Sequence, residues 1–552
     1  MSDMPGMAGL AKGLEQRISR ILTAYCRVPT FTNTPGETLA TGFIADQLGS
    51  LPYFKAHPGH MGTWEIENDE LGRHVGWAMI QGGSTRTVVL MHHSDVVVTD
   101  NYGPLRDLAL EPDALEAAFR QDPALLDPEA REDLASGQWM FGRGTADMKG
   151  GGAIHLALFR MYAQWTEAQR KDLPTLVLLA LPDEENLSAG MRSALGLLSR
   201  LKADHGLDYA LMINSEPHQR LTPENGVICQ GSIAKLNLFV YVRGVMAHAG
   251  KVLEGLNPTA VMADIVARTD LSDDFVDHTE QEMSVPPTWV YLRDLKRQYD
   301  ISFPEACYGM FNVLNFHTGP GAVVEKMAGI CTRALSDSIG RVNAKRRVFS
   351  RHTGRNWPDL DWQPRVLTYG DLRAMTPDLP DKTAAPLAGP GLEALLEQRL
   401  SGLFPGEPVI VTGLCPPYYP GVTNPDQERL HTMVRTFTQH QFGQDYDNRA
   451  YFTGISDLSY AMSPDRDRSP QHHPEQTTQT TAQAMAHMAG WGTGYDIPFD
   501  HINTISMDCI NIGPWGKDFH KASERVLKQD LFHRTPLLIH HMICSHKGDT
   551  HV

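Results

Sequence analysis

Four apolar runs, far apart in the chain, each deliver a side chain of metal-binding type just past their ends. Thr87–Met91 leads to His93, Thr175–Leu181 to Glu185, Tyr209–Ile213 to Glu216, and Cys509–Ile512 to His520. Runs this rich in β-branched residues and leucine read as strands buried on both faces, which belong to parallel sheets covered by helices. In an open α/β sheet the carboxyl ends of the strands converge on one crevice, so side chains distant in sequence can meet there. The pattern predicts an α/β fold with a mostly parallel central sheet, helices on both faces, and the functional site at the strand ends.

A fifth segment belongs to the same site. Phe141–Gly152 is a glycine-rich turn carrying Asp147, and it runs into the helical pattern Ile154, Leu158, Met161, Tyr162, Trp165. We read Asp147 as a carboxylate shared by two divalent ions, because one carboxylate can hold two such ions about 3.5–4 Å apart. A phosphate-binding loop is the rival, but the Lys-Ser/Thr ending that it requires is missing. Asp95, two residues past His93, projects to the same side of an extended segment and can steady the imidazole from behind. Taken alone, His-x-Asp is a weak signal, better explained by a surface pair. Glu184 and Glu185 are adjacent after a buried run: one can ligate while its neighbour takes a proton from water. A solvated loop is the plainer alternative.

The pattern changes near Ser232. Lys235–Tyr241 alternates as a half-buried strand, Asn257-Pro258 opens a helix to Arg268, and Trp289–Leu292, Cys307–Phe316 and the helical Ala322–Ile339 follow. These suit an inserted α+β lid, a small sheet with helices on one face. Pro408–Leu414 reads as a strand that returns the chain to the first domain. The expected division is 1–231 and 406–552 for the catalytic domain and 232–405 for the lid. Asn101–Gln138 is an excursion with helices at Pro112–Arg120 and Pro128–Ala135, and a helix is expected from His520 towards Leu531. His472-His473 lies in a polar stretch, 463–481, where nothing apolar places the pair, so a solvated loop is expected.

The formal net charge of −16 argues against nucleic acid or an anionic membrane as partner. No apolar run approaches the roughly 18 residues of a membrane span. Seven scattered cysteines without a Cys-x-x-Cys pair suit free thiols in a reducing compartment, and a cytoplasmic location is expected.

Together these segments resemble the co-catalytic zinc metallohydrolases of the aminoacylase, carboxypeptidase G and succinyl-diaminopimelate desuccinylase family. The likeness lies in His93-Ser94-Asp95-Val96-Val97, Gly142-Arg143-Gly144-x-x-Asp147-Met148-Lys149-Gly150-Gly151, Asp183-Glu184-Glu185-x-x-Ser188-x-Gly190, Glu216-Pro217, Arg243-Gly244-x-x-x-His248 and Gly513-Pro514-x-Gly516-x-x-x-His520-x-x-x-Glu524. Length, excursion and large insert look most like the RocB-type arginine-utilisation proteins. The resemblance implies one metal ion on His93, Asp147 and Glu216, and another on Asp147, Glu185 and His520. Glu184 becomes the general base, Asp95 the partner behind His93, and His248 on the lid the group that polarises the scissile carbonyl, from its own chain or a partner's. It also implies a cis bond between Asp147 and Met148. Imidazole and carboxylate ligands suit two zinc ions, with cobalt or manganese as substitutes.

The implied reaction is hydrolysis of an amide bond in an N-acyl amino acid or short peptide, with a link to arginine or ornithine breakdown and a homodimer through the lid. The alternative is a metal-containing binding or regulatory protein without turnover. Glu184 weighs against that, since binding needs no general base. Two departures stand out: the insert exceeds a minimal lid, and no arginine matches the one relatives use to grip a substrate carboxylate.

Overall fold

The computed structural model describes residues 7–220, 222–279, 282–381, 390–466 and 480–547. His472-His473 and most of the 463–481 stretch lie outside the described residues. The chain divides into two compact units, one of residues 1–232, 422–463 and 498–552 and the other of residues 233–421 and 464–497.

The first unit is built on the apolar runs. Its strands are β1 (Met61–Glu65), β2 (His74–Ile80), β3 (Arg86–His93), β4 (Thr175–Leu181), β5 (Asp208–Asn214), β6 (Gly226–Cys229), β7 (Tyr446–Arg449) and β8 (Asp508–Asn511), in the sheet order β1-β2-β4-β3-β5-β8-β6-β7. The centre, β4-β3-β5-β8, is parallel, as the buried runs predict. Antiparallel pairs join β1, β2 and β4 on one side and β8 to β6 on the other, so the sheet as a whole is mixed.

Both faces of the centre are covered, which is why these strands lack polar alternation. Val88, Leu90, Leu176 and Leu178 pack into a core with the helices Met7–Cys26, Lys149–Gln164 and Thr535–Ser545. On the opposite face Val89, Met91, Val177 and Leu179 are equally buried, and the helix Ala189–His205 packs on β2 and β4. Each such side chain contributes about 1.5–3 kcal/mol by leaving water. Truncating Leu178 to alanine would cost about 2–5 kcal/mol, because the surroundings cannot fully collapse.

One element differs from expectation inside this unit. No helix starts at His520: residues 518–524 form turns, and Arg525–Leu527 is a short strand paired with Trp139–Phe141. Helix is excluded because Glu524 and Arg525, polar yet buried, are spent on ion pairs with Arg143, Asp133 and Asp518. The helical path begins only at Lys528 and passes into the π-turn Asp530–Arg534.

The second unit holds a five-stranded sheet in the order Thr288–Asp294, Ala306–Asn315, Ala234–Arg243, Val409–Tyr419, Arg365–Thr368, with only the last pair parallel. The strand expected to return the chain to the first unit pairs here instead, beside Ala234–Arg243. Its apolar character suits either sheet; register alone decides. Leu236–Val242 is buried without alternation, so helices cover both faces rather than one. Tyr369–Met375 and Pro390–Leu400 pack on the side of Phe239 and Tyr241, whereas Pro258–Thr269 and Pro320–Thr353 also contact these strands.

Candidate metal centre and active site

Strand register brings the ligand-type residues to one row. His93 ends β3 level with Leu181 of β4, and Met91 is level with Asn214 of β5. Glu216, two residues beyond Asn214, therefore stands beside His93, while Glu184 and Glu185 lie in the turn beyond Leu181. The chain passes from β3 to β4 on one side and then to β5 on the other, so the crevice lies at the reversal point of the sheet. The loop after β8 closes tightly on it: a Cβ on Gly513 would fall 1.8 Å from the carbonyl oxygen of Glu216, so only glycine fits.

Asp147 sits between two imidazoles. Its Oδ1 is 3.1 Å from His93 Nε2 and its Oδ2 is 3.2 Å from His520 Nε2. Glu216 Oε1 is 3.6 Å from His93 Nε2, and Glu185 Oε1 is 2.8 Å from His520 Nε2. The donor atoms of His93, Asp147 and Glu185 all lie within 4.8 Å of one another. This donor set fits a pair of divalent ions: one carboxylate presents an oxygen to each side, and each side adds an imidazole and a further carboxylate.

Asp147 is aimed by its backbone. Glu524 is fully buried, and its Oε1 accepts the N–H groups of Gly144 at 2.8 Å, Ala146 at 3.2 Å and Asp147 at 3.2 Å, while Arg143 donates to its Oε2. The expected cis bond after Asp147 is not present; among the described residues the cis bond is Pro416–Pro417. Here the three N–H groups gathered on Glu524 hold the turn. His520 has a φ of 63°, in the left-handed region that costs a non-glycine residue about 1–3 kcal/mol. Asn101 Nδ2 donates to the His520 carbonyl at 2.6 Å, and Lys517 pairs with Glu129 and Asp133. The excursion Asn101–Gln138 thus braces the loop that carries His520.

Asp95 does more than expected. His93 Nδ1 lies 3.0 Å from the Asp95 backbone carbonyl and 3.5 Å from its Oδ1, so the carbonyl is the nearer partner. The carboxylate accepts the N–H of Glu184 at 3.2 Å, the N–H of Glu185 at 3.3 Å and the Thr32 hydroxyl at 3.0 Å. One acid therefore fixes both His93 and the two-glutamate turn. Asp183, at φ 71°, opens that turn and is held by the buried Arg73, which also grips Glu37 and Asp69.

The electrostatics reflect crowding. Burial first, then neighbouring acids, push Glu184 and Glu216 well above the usual carboxylate range and raise Glu185. Burial alone would lower His93, yet Glu216, Asp147 and Asp95 hold it well above its ordinary value. Hydrogen bonding to Asp147 and Glu185 raises His520 to about 10. So many acids in one low-dielectric site want compensating positive charge, which divalent cations supply.

A cavity of about 440 Å³ opens on this cluster, lined by Asp147, Glu184, Glu185, Glu216 and His520 together with Arg449, Phe452, Thr453, Gly454, Ile455 and Phe519. Sequence reasoning missed Arg449 and Asp457. Asp457 is buried among these acids, and burial raises it to about 7. Neither follows an apolar run, so strand-end logic could not flag them. His248 lies in the second unit, exposed, with its Nδ1 accepting the Gly250 N–H at 3.0 Å.

Residues 125–540 match the peptidase family M20/M25/M40. Protein RocB of Bacillus subtilis strain 168 is 27% identical over 545 residues, covering 95% of this chain and 94% of the relative. The uncharacterised protein YqjN of the same organism is 26% identical over 539 residues, 94% of each chain. Among solved structures, a tripeptidase from Staphylococcus aureus subsp. aureus Mu50 shares the fold with a TM-score of 0.51 at 13% identity, covering 97% of this chain and 98% of the other.

Proposed function

The chain belongs to peptidase family M20/M25/M40, and from that premise we propose that it is a two-metal amidohydrolase acting on an N-acyl amino acid or a short peptide. Asp147 carries the reading, with its two oxygens turned to different imidazoles, because a carboxylate serving a single ion has no need of that arrangement. His93, Asp147 and Glu216 would hold one ion, and Asp147, Glu185 and His520 the other; zinc suits these donors, with cobalt or manganese able to replace it. Paired ions, when bound, would acidify a water and offset charge on the carbonyl oxygen.

The remaining steps belong to the chain. Glu184 lines the cavity beside the ligands, its backbone N–H held by Asp95. Its carboxylate takes a proton from the attacking water and delivers it to the amide nitrogen as the C–N bond breaks. His248 donates to the carbonyl oxygen, from this chain or from a second copy. Dimerisation through the second unit is supported by the sheet edge at Thr288–Asp294, where Val290 and Leu292 are exposed. A role in arginine or ornithine breakdown rests on the RocB-type resemblance. Among the described residues no helix is long and apolar enough to cross a membrane; a cytoplasmic location stays part of this proposal. An assay of zinc- and cobalt-loaded protein over N-acyl amino acids and dipeptides tests the reading. Failure to hydrolyse any amide with metal fully bound would favour a binding or regulatory protein.

A further inference from the structure

A second cavity, of about 640 Å³, lies wholly within the second unit and shares no lining residue with the one over the metal ligands. It forms where the strand Ala234–Arg243 ends, the strand Ala306–Asn315 begins and the helix Pro390–Leu400 stops. Tyr241 and Arg243, two apart, project to the same side of their strand. That side faces the helix: Tyr241 belongs to one apolar cluster with Leu396 and Leu400, and Arg243 donates to the carbonyls of Leu400 at 3.0 Å, Leu403 at 2.8 Å and Phe404 at 2.9 Å.

The cations of this cavity are spent on its own walls. Arg243 is engaged by the three carbonyls that follow the helix end. Lys296 donates to the Asp300 carbonyl at 2.8 Å, the Asp300 carboxylate at 2.7 Å and the Ser302 carbonyl at 2.6 Å, which fixes the loop leading into Ala306. Arg297 has 88% of its side chain exposed and reaches Glu397 only at 3.9 Å, a contact that solvent screens. Two groups are not spent. Glu305 lines the cavity, and among the described residues no ion pair or side-chain hydrogen bond engages it. Tyr241 is only 2% exposed, yet its hydroxyl has no partner among them either. A hydroxyl taken out of water needs a hydrogen bond, and the opening beside this one is the cavity that Tyr241 lines. Burial first, then the charge of Glu397, with Glu305 adding, hold the phenol above its ordinary range although Arg243 opposes them, so both acids lie within electrostatic reach of its oxygen. Met246, Leu295, Phe303 and Pro304 supply an apolar wall.

We propose that this cavity binds an organic cation, a protonated amine or a guanidinium on an apolar stem. Glu305 and Glu397 face the charge, the Tyr241 oxygen accepts one of its N–H groups, and the stem lies on the apolar wall. A bound cation releases Arg297 from Glu397 into solvent. The volume is that of a small-molecule site. Anions are disfavoured, because the buried positive groups already bond to carbonyls and to Asp300. The inference is independent of what the metal centre does.

Saturation-transfer NMR titrations of the zinc-supplemented full chain with n-hexylammonium, n-hexanoate and n-hexanol test this. The ammonium ion should bind, and the carboxylate and alcohol of equal length should bind at least about 10-fold more weakly. Glu305→Gln removes one charge-assisted contact and should weaken hexylammonium about 10–100-fold; Tyr241→Phe removes a neutral acceptor and should weaken it about 2–10-fold. Glu184→Gln, in the other cavity, should leave the affinity unchanged. Neither Glu305→Gln nor Tyr241→Phe should lower the melting temperature, since neither group has a partner in the unliganded chain. No binding of hexylammonium, equal or stronger binding of hexanoate, or an affinity that survives both substitutions and follows Glu184→Gln instead overturns the proposal. A lower melting temperature for Tyr241→Phe overturns it too, because the hydroxyl would then be bonded within the protein.

Discussion

Glu524 accepts the backbone N–H of Asp147 at 3.2 Å although 377 positions separate them in sequence. Asp147 is therefore aimed by the segment that also bears His520, and the two halves of the proposed metal centre cannot move independently. Removing the Glu524 carboxylate should loosen both. Glu524→Ala also leaves Arg143 buried without its partner, an uncompensated charge worth about 3–5 kcal/mol. Glu524→Gln keeps the size and one acceptor for the three N–H groups but also removes the charge opposite Arg143, so it should fold with reduced stability while losing about 10–100-fold in metal affinity. Metal titration with thermal melts checks this. If the glutamine variant binds zinc as tightly as wild type, Glu524 serves stability alone.

Much of this site is legible from the chain because buried parallel strands need continuous apolar sequence, and Thr87–Met91 and Thr175–Leu181 have nothing else to become. The side chains just past such runs are the ones a sheet can bring together. Legibility fails where a residue gains its place from a partner rather than from a pattern. Glu524 and Arg525 sit in a stretch that reads as helix, yet their buried ion pairs draw it into turns and a short strand. Arg449 follows Tyr446–Asn448, too short and polar to announce a strand, and only register places it beside the crevice. Pro408–Leu414 is legible as a strand but not as a member of the second sheet, because apolar content specifies burial and not a partner.

His248 should matter for turnover and little for metal. The proposed role is donation to the carbonyl oxygen in the transition state, and loss of one such donor costs about 10²–10³-fold in kcat. His248→Ala should show that drop with both ions retained. An unchanged kcat would leave His248 as a capping residue, consistent with its hydrogen bond to Gly250.

Chelation should lower thermal stability as well as abolish activity. Ions that bind only the folded chain add about 4 kcal/mol at about 1,000 times their Kd. Removing them also leaves Asp147, Glu184, Glu185 and Glu216 facing one another in a buried cavity. The melting temperature should fall by several degrees and recover when zinc is restored. A melting curve indifferent to chelator would argue that these residues hold no structural ion.

The two adjacent glutamates should separate binding from proton transfer. Glu185 Oε1 is directed at His520, 2.8 Å from its Nε2, whereas Glu184 takes its backbone restraint from Asp95 and lines the cavity. Glu185→Gln should lose one ion, because a neutral amide is a poor ligand beside Asp147 and His520 and cannot balance a dication. Glu184→Gln should keep both ions yet lose about 10²–10⁴-fold in kcat, since the amide preserves shape but accepts no proton. Metal analysis and turnover on the same preparations decide between them. Release of metal by Glu184→Gln with full retention by Glu185→Gln would exchange the two roles. Full metal and full activity in both variants would place the reacting centre somewhere other than the end of β4.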